Sequence, residues 1–394
     1  MEATSPAAVV LKPGRDRSLR NRHPWVFSGG IFRVDGAPRP GDAVAVRTSD
    51  GRFLGTGLFN PDSQIRVRML RWDEGPIDTD FWRERLRAAL AWRERIIGND
   101  SDACRLVNAE GDLLPGWIVD RYGDLLVTQF NSRGLWRRRK ELVELLAEMT
   151  GAPAILERSD EGALRAEGVA VEGGRFHGEE RDRVEIRENG LRFVVDVLEG
   201  QKTGFFLDQR DNRRLIGELA AGRSLLNCFA YSGGFSVYGA VAGATTTSVE
   251  VSEPALELAR ENFALNGLDG EAHRFEAANV FEYLRQIEDE YEVIVLDPPA
   301  FAKHRKSVDN AARGYKDINR LALQKIAAGG ILMTCSCSAF VSEDLFRKIL
   351  FSAAQEAGRE VQIIARPAAP ADHPVSIYHP EGEYLKTLVL RVVE

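Results

Sequence analysis

The chain has 394 residues, of which 44% are hydrophobic and 28% charged, and a formal net charge of −7. That length suggests two or three domains, and the composition supports a sizeable core and excludes a disordered chain. No apolar window is long enough for a transmembrane helix, Met1 to Val10 lacks the basic and apolar regions of a signal peptide, and with a negative total any affinity for nucleic acid must come from a local patch.

Residues 1–75 read as short strands, Trp25–Phe27, Ala43–Arg47, Phe53–Phe59 and Ile65–Leu70, punctuated by Gly29-Gly30, Gly36, Gly41 and Asp50-Gly51. This is the pattern of a small β barrel or sandwich. Lys12, Arg15, Arg17, Arg20, Arg22, Arg33 and Arg39 stand against Glu2, Asp16 and Asp35, a local balance of +4. Two readings of that balance stay open here: an ordinary solvated face, or a phosphate track beside the stacking surface of Trp25 and Phe27.

In residues 76–188 a helix begins near a cap at Asp78 or Thr79, with Trp82, Leu86 and Leu90 repeating on one face. Strands are expected around Cys104–Val107, Gly116–Val119 and Leu125–Phe130, then a helix over Leu135–Met149 and a loop or hairpin over Arg158–Glu180. The region reads as a small α+β domain.

Beyond residue 215 apolar runs alternate with helical segments: Ser224–Phe229, Thr246–Glu250, Ala272–Phe275, Glu292–Asp297, Gly330–Cys335, Val361–Ala365 and Tyr384–Val393. Alternating β and α with apolar strands predicts a mostly parallel sheet covered on both faces. Pro254 suits a first helical turn and Asn266-Gly267 its end, and Ser342 before Glu343 and Asp344 opens another helix.

Chemistry concentrates at the carboxyl ends of these strands. Asn227 to Phe235 is strand, glycine turn, then helix; it matches neither GxGxxG nor a P-loop, which weakens dinucleotide and nucleotide triphosphate readings. Glu250 ends the next strand, where an acid can accept from both ribose hydroxyls of an adenosyl group or simply face solvent. Asp297-Pro298-Pro299-Ala300-Phe301 closes the fourth strand; its prolines fix the chain direction and leave carbonyls and a carboxylate at the cleft, or serve only as a rigid exit. Of the four cysteines, Cys104 and Cys228 read as core, Cys335 as a strand residue, and Cys337 as the one near the rim. None has zinc spacing, no metal site is expected, and a reducing cytoplasm is the simplest location.

These motifs, together with Pro13-Gly14, His23-Pro24-Trp25-Val26-Phe27, Phe59-Asn60-Pro61-Asp62-Ser63, Asp112 to Gly116, Glu157 to Asp160, Gly200 to Arg210, Asp372-His373-Pro374 and Glu383-Tyr384-Leu385-Lys386, resemble the bacterial class I S-adenosylmethionine-dependent methyltransferases that carry a PUA domain and make 5-methylcytosine in 23S ribosomal RNA. Their order along nearly the whole chain makes the likeness specific. The resemblance implies a multidomain fold: an N-terminal β-barrel-like PUA RNA-binding domain at 1–75, a central α+β domain at 76–188, and at 189–394 an α/β Rossmann-like methyltransferase domain with a mostly parallel seven-stranded sheet and an N-terminal β-hairpin. It implies S-adenosylmethionine as cofactor, held by Phe229, Ala230, Tyr231, Ser232, Gly233, Gly234, Glu250, Ser252, Asn279 and Asp297. Asn279 stands where the family commonly has Asp, so the contact to the adenine amino group would lack a formal charge.

Cys337 would be the nucleophile at cytosine C6 and Asp297 the partner of the cytosine polar edge. A second cysteine used by another branch is replaced by Pro299-Ala300, leaving a one-cysteine mechanism. Lys12, Arg15, Arg17, Arg20, Arg22, Lys202 and Phe301 would meet RNA, the partner being 23S ribosomal RNA or a large-subunit precursor. Homodimerisation follows from the resemblance alone, and no membrane is involved. Two rivals remain: an RNA guanine N-methyltransferase needing no thiolate, and a non-catalytic RNA-binding assembly factor on the same fold.

Overall fold

The computed structural model describes residues 7–170, 174–302 and 304–393. The chain divides into two compact units, one of residues 1–186, 195–207 and 371–382, the other of 187–194, 208–370 and 383–394.

The first unit contains a six-stranded and a five-stranded sheet. In the first sheet the strands run in the order Trp25–Phe27, Ile65–Arg71, Phe53–Phe59, Ala43–Arg47, Ala8–Leu11, Ile31–Asp35. Val9, Val26, Val44, Val46 and Val67 form its core. Ala8–Leu11 and Ile31–Asp35 go beyond the strands expected from sequence. Ala8–Leu11 is buried throughout and lacks the polar alternation of a half-exposed strand. The Asn60-Pro61-Asp62-Ser63 turn wraps a buried carboxylate: Glu167 accepts from Asn60 Nδ2 at 2.8 Å, Ser63 Oγ at 2.7 Å and Arg68 at 2.9 Å.

The five-stranded sheet takes the order Arg175–Gly178, Ala154–Glu157, Leu125–Phe130, Trp117–Tyr122, Ala103–Asn108. Helices Thr79–Ile96 and Arg133–Thr150 supply Trp82, Leu86, Leu142 and Leu146 to the same core as Trp117 and Phe130. Asp78 caps the first helix by accepting from Phe81 N at 3.0 Å. The stretch 158–180, expected as loop or hairpin, instead holds a helix at Glu161–Ala166, capped by Asp160, and the strand Arg175–Gly178; residues 171–173 of it lie outside the described residues. A polar sequence with a good N-cap can still form one helical turn, and only Leu164 need be buried to hold it.

Strands Arg183–Glu188 and Leu191–Asp196 form a hairpin whose turn, Asn189-Gly190, has φ of 51° and 82°. Asn-Gly is the residue pair that accepts two consecutive left-handed conformations most easily.

The second unit is a seven-stranded α/β sheet. In chain order its strands are β1 (Ser224–Cys228), β2 (Thr245–Glu250), β3 (His273–Ala277), β4 (Tyr291–Leu296), β5 (Ile326–Ser336), β6 (Val361–Ala365) and β7 (Lys386–Val392). Its helices are α1 (Arg210–Leu219), α2 (Gly234–Val241), α3 (Glu253–Leu265), α4 (Val280–Gln286), α5 (Val308–Lys325) and α6 (Glu343–Ala357). The spatial order is β3-β2-β1-β4-β5-β7-β6, with β7 antiparallel to both neighbours. Period-two alternation sorts the strand side chains. Leu226, Ile294, Leu296 and Leu332 pack on one face with Tyr315, Ile318 and Phe346, while Leu225, Val293, Val295 and Met333 pack on the other with Ile216 and Phe235. Both faces are therefore apolar at the centre of the sheet, as expected of parallel strands covered on both sides. Chain order reverses between β1 and β4, which opens a crevice at their carboxyl ends.

Candidate active site

The loop after β1 is strained where it faces that crevice. Phe229 and Tyr231 adopt φ of 61° and 47°, and Gly233 follows at 77°. Each non-glycine residue in that region costs on the order of 1–3 kcal/mol, so the surroundings must hold the loop. They do so from several elements. Tyr231 N donates to Glu250 Oε2 at 3.1 Å, and Ser232 carbonyl accepts from Asn262 Nδ2 of α3 at 2.9 Å. Behind the loop, buried Asn227 Nδ2 donates to Ser236 Oγ at 3.0 Å, which lies 2.7 Å from Ser248 Oγ of β2.

The two glycines are demanded by the protein side. A Cβ at Gly234 would fall 2.8 Å from Arg213 Cδ, and one at Gly233 would fall 3.0 Å from the Ala259 Cβ. Arg213 is fixed beneath the loop by two hydrogen bonds to Glu188, at 2.7 and 2.6 Å, and Tyr238 OH also donates to that carboxylate. Both partners are buried. Burial opposes the charge on Arg213, but Glu188 more than offsets it, and the guanidinium sits above its ordinary pKa.

Glu250 ends β2 with only 8% of its surface exposed. Besides Tyr231 N, it accepts from Val251 N at 2.9 Å and Ser252 N at 3.1 Å. Three backbone donors thus orient the carboxylate, and its remaining lone pairs suit a pair of ribose hydroxyls. Ser252 is committed differently: its Oγ caps α3 by accepting from Ala255 N. Asn279 caps α4, its Oδ1 accepting from Phe281 N at 2.9 Å and Glu282 N at 3.4 Å. The amide oxygen expected to meet an adenine amino group is therefore already engaged. A strained loop at the switch point, an oriented acid on the next strand and a polar cap on the third are the parts an adenosyl cofactor needs.

At the other half of the crevice, Asp297 follows β4 and is half-buried. Cys337 follows β5, half-buried, with Sγ 4.0 Å from the carbonyl of Pro298. The Asp-Pro-Pro turn and the cysteine thus meet, as the sequence suggested. Cys337 stands between two buried serines. Ser338 Oγ lies 3.0 Å from Tyr315 OH and accepts from Ala302 N at 3.2 Å, and Ser338 N approaches Ser336 Oγ at 3.4 Å. Cys104, Cys228 and Cys335 are fully buried. Burial, reinforced by the charge of Asp297, pushes the Cys335 thiol well up, and the residue is sealed in the core against Thr387.

Phe301 packs its ring on Tyr315, 4.6 Å between centroids, and near Phe281, so its aromatic surface is largely used inside the unit. In the first unit, Lys12, Arg15, Arg17, Arg20 and Arg22 are all exposed. Lys12 donates to Gly29 carbonyl and Arg20 pairs with Asp16. Trp25 donates its indole N–H to Glu110 and lies 4.4 Å from the His379 ring, so it is not a free stacking surface, whereas Phe27 remains 51% exposed. Lys202, also in that unit, lies over the Phe206 ring.

Sequence reasoning assigned no role to Asn262, Arg213, Glu188, Ser338 or Lys386. The Glu383-Tyr384-Leu385-Lys386 motif was the available signal for the last. Lys386 Nζ donates to Ser338 carbonyl at 2.7 Å, and Thr387 beside it bonds Asn212 of α1 at 3.2 Å.

Residues 119–391 match the model of the S-adenosylmethionine-dependent methyltransferase family, and residues 9–72 match a PUA-like domain. The chain is 48% identical over 392 residues to ribosomal RNA large subunit methyltransferase I of Shewanella denitrificans and 47% identical to that of Shewanella frigidimarina, in each case covering 98% of this chain and 99% of the relative. A Streptococcus mutans structure described as a candidate S-adenosylmethionine-dependent methyltransferase superposes with a TM-score of 0.84 over 98% of this chain and all of that one; at 22% identity it shares the fold. Among the described residues no helix is long and apolar enough to cross a membrane. The chain belongs to the S-adenosylmethionine-dependent methyltransferase family, in the branch of ribosomal RNA large subunit methyltransferase I.

Proposed function

We propose that this protein methylates C5 of a cytosine in the 23S ribosomal RNA of the large subunit, in the cytoplasm, through a covalent adduct at Cys337. The observation that carries the reading is the placement of Cys337: half-buried at the end of β5 and against the Asp297-Pro298-Pro299 turn, while the other three cysteines are sealed in the core. Phe229 to Gly234 and Glu250 would hold the cofactor, with Asn279, Ser252 and Asp297 around it. S-adenosylmethionine, when bound, supplies an electrophilic methyl group.

Cytosine C5 is a poor nucleophile while the ring is aromatic. The Cys337 thiolate adds at C6, forming an S–C6 bond and shifting electron density into the ring, which gives C5 enamine character. Asp297 faces the N3/N4 edge and stabilises that shift. With the methyl group taken up by C5, that carbon carries both methyl and proton; a base then removes the C5 proton as the C6–S bond breaks, the thiolate leaves and the aromatic ring is restored. The base must leave its stack to enter the crevice. The PUA-like region brings a phosphate-binding surface through Lys12, Arg15, Arg17, Arg20 and Arg22, with Lys202 adding a further cation and Phe301 supporting the substrate side of the crevice. The division at residues 75 and 188 into RNA-binding, central and catalytic parts belongs to the same reading.

Replacing Cys337 with Ala tests it. Methyl transfer to ribosomal RNA is expected to fall by at least about a thousandfold while cofactor binding persists, and 5-fluorocytosine RNA is expected to trap a protein adduct only with the wild-type chain. Near-full activity of Cys337→Ala would sink the covalent mechanism and favour an N-methyltransferase. Failure of the wild-type chain to bind S-adenosylmethionine in calorimetry would favour an assembly factor.

A further inference from the structure

In the second unit a lysine ammonium is bonded to the residue that follows Cys337. β7 runs antiparallel to β5, with Lys386 opposite Ser336 and Thr387 opposite Cys335. The Lys386 stem is half-buried, and its ammonium is anchored on the Ser338 carbonyl at 2.7 Å, one residue past Cys337. That carbonyl is held in place from three sides: the Ser338 side chain is tied to Tyr315 of α5 and to Ala302 N, and its backbone N–H reaches Ser336 Oγ. The ammonium therefore cannot swing away without giving up a well-formed bond to a rigid peptide.

We propose that Lys386 is the positioning residue of Cys337, its ammonium fixed on the Ser338 carbonyl so that the neighbouring sulfur is held as a thiolate ready to attack cytosine C6. This rests on Cys337 being the nucleophile. The S–H proton passes to solvent, Lys386 keeps its own, and the negative charge left on sulfur is balanced by the ammonium until the S–C6 bond forms. The groups around the pair do not substitute for it. Asp297, just after β4, bears on Cys335; Glu383, preceding β7, bears on Lys386; burial pushes the Cys335 thiol well up; and burial also raises Tyr315, from α5. Among these groups Lys386 alone has a basic side chain. Burial draws Lys386 below the ordinary lysine range while the charge of Cys337 draws it back up, the reciprocal of the effect on sulfur.

The test is the pH profile of Cys337 alkylation by iodoacetamide in the full chain without RNA, read on the Cys337 peptide by mass spectrometry. The wild-type midpoint is expected below the ordinary cysteine value of about 8.5. Lys386→Met is expected to raise it by about one unit or more, with a parallel tenfold loss of single-turnover methylation at neutral pH and unchanged S-adenosylmethionine binding. Lys386→Arg should keep the low midpoint. An unshifted midpoint in a Lys386→Met chain that still binds cofactor would overturn the proposal. Should that variant fail to fold, a wild-type midpoint at or above the ordinary value would overturn it equally, and a low wild-type midpoint retained by Lys386→Arg would support it. Alkylation does not depend on methyl transfer. A Cys337→Ala chain with full activity would therefore refute the catalytic reading even where the midpoint shift is present.

Discussion

Glu250 does two jobs with one carboxylate. It closes the strained loop by accepting from Tyr231 N, and it orients itself on Val251 N and Ser252 N. Hydrogen bonds to a charged acceptor are worth about 1.5–3 kcal/mol, so Glu250→Gln should weaken S-adenosylmethionine binding roughly ten- to a hundredfold, measurable by calorimetry. Asn279 gives a prediction of opposite sign. Its single amide oxygen is spent capping α4. A carboxylate has a second oxygen and complements the helix dipole, so Asn279→Asp should tighten cofactor binding by roughly three- to tenfold. Glu250 was legible as the residue that ends a parallel strand at the edge where ligands bind such sheets, whereas Asn279 was assigned from the family resemblance. The capping of α4 was not legible, because an Asn is read equally well as a ligand contact or as an N-cap until the helix start is known to a residue.

The elements were easiest to read where burial left no choice. β1, β4 and β5 carry buried apolar stretches, Leu225-Leu226, Val293 to Leu296 and Ile331 to Met333, with side chains packed on both faces of the sheet. Ala8–Leu11 and Ala154–Glu157 are also fully buried but only four residues long, too short for periodicity to separate strand from loop. Least legible were the contacts made by pairing across long separations. Lys386 reaches Ser338 across 48 residues only because β7 pairs antiparallel with β5, and Glu188 reaches Arg213 because the hairpin delivers it to α1. That second pair carries the element-scale prediction. Arg213 supports the loop from below, and removing the Glu188 charge takes away the main counter-charge of a buried guanidinium. Breaking such a pair costs about 3–5 kcal/mol, so Glu188→Gln should lower the urea midpoint of the chain clearly. Gly234→Ala should be harmful for the same reason, since its new methyl group would press on Arg213.

At the scale of the whole molecule, a net charge of −7 would seem to oppose binding of a polyanion. Phosphates, however, respond to the field within about 10 Å of a surface at ordinary ionic strength, and the basic residues of the PUA-like region are grouped and exposed. They are not equivalent. Arg20 is paired with Asp16, and Lys12 is bonded to Gly29 carbonyl, whereas Arg15, Arg17 and Arg22 make no such side-chain bond among the described residues. Each cation that neutralises a phosphate releases counterions and steepens the fall of log affinity with log salt by about 0.7–0.9. Replacing Arg15, Arg17 and Arg22 together by Ser should therefore reduce that slope by about 2–3 and weaken binding of ribosomal RNA fragments at low salt, while methylation of saturating RNA continues. Arg20→Ser should change the slope less, because its charge is already partly answered by Asp16. Filter-binding titrations across a salt series separate these outcomes. Equal slopes for the triple variant and the wild-type chain would move the phosphate contacts away from this surface, whereas an equal effect of Arg20 would show that RNA displaces Asp16 from its partner.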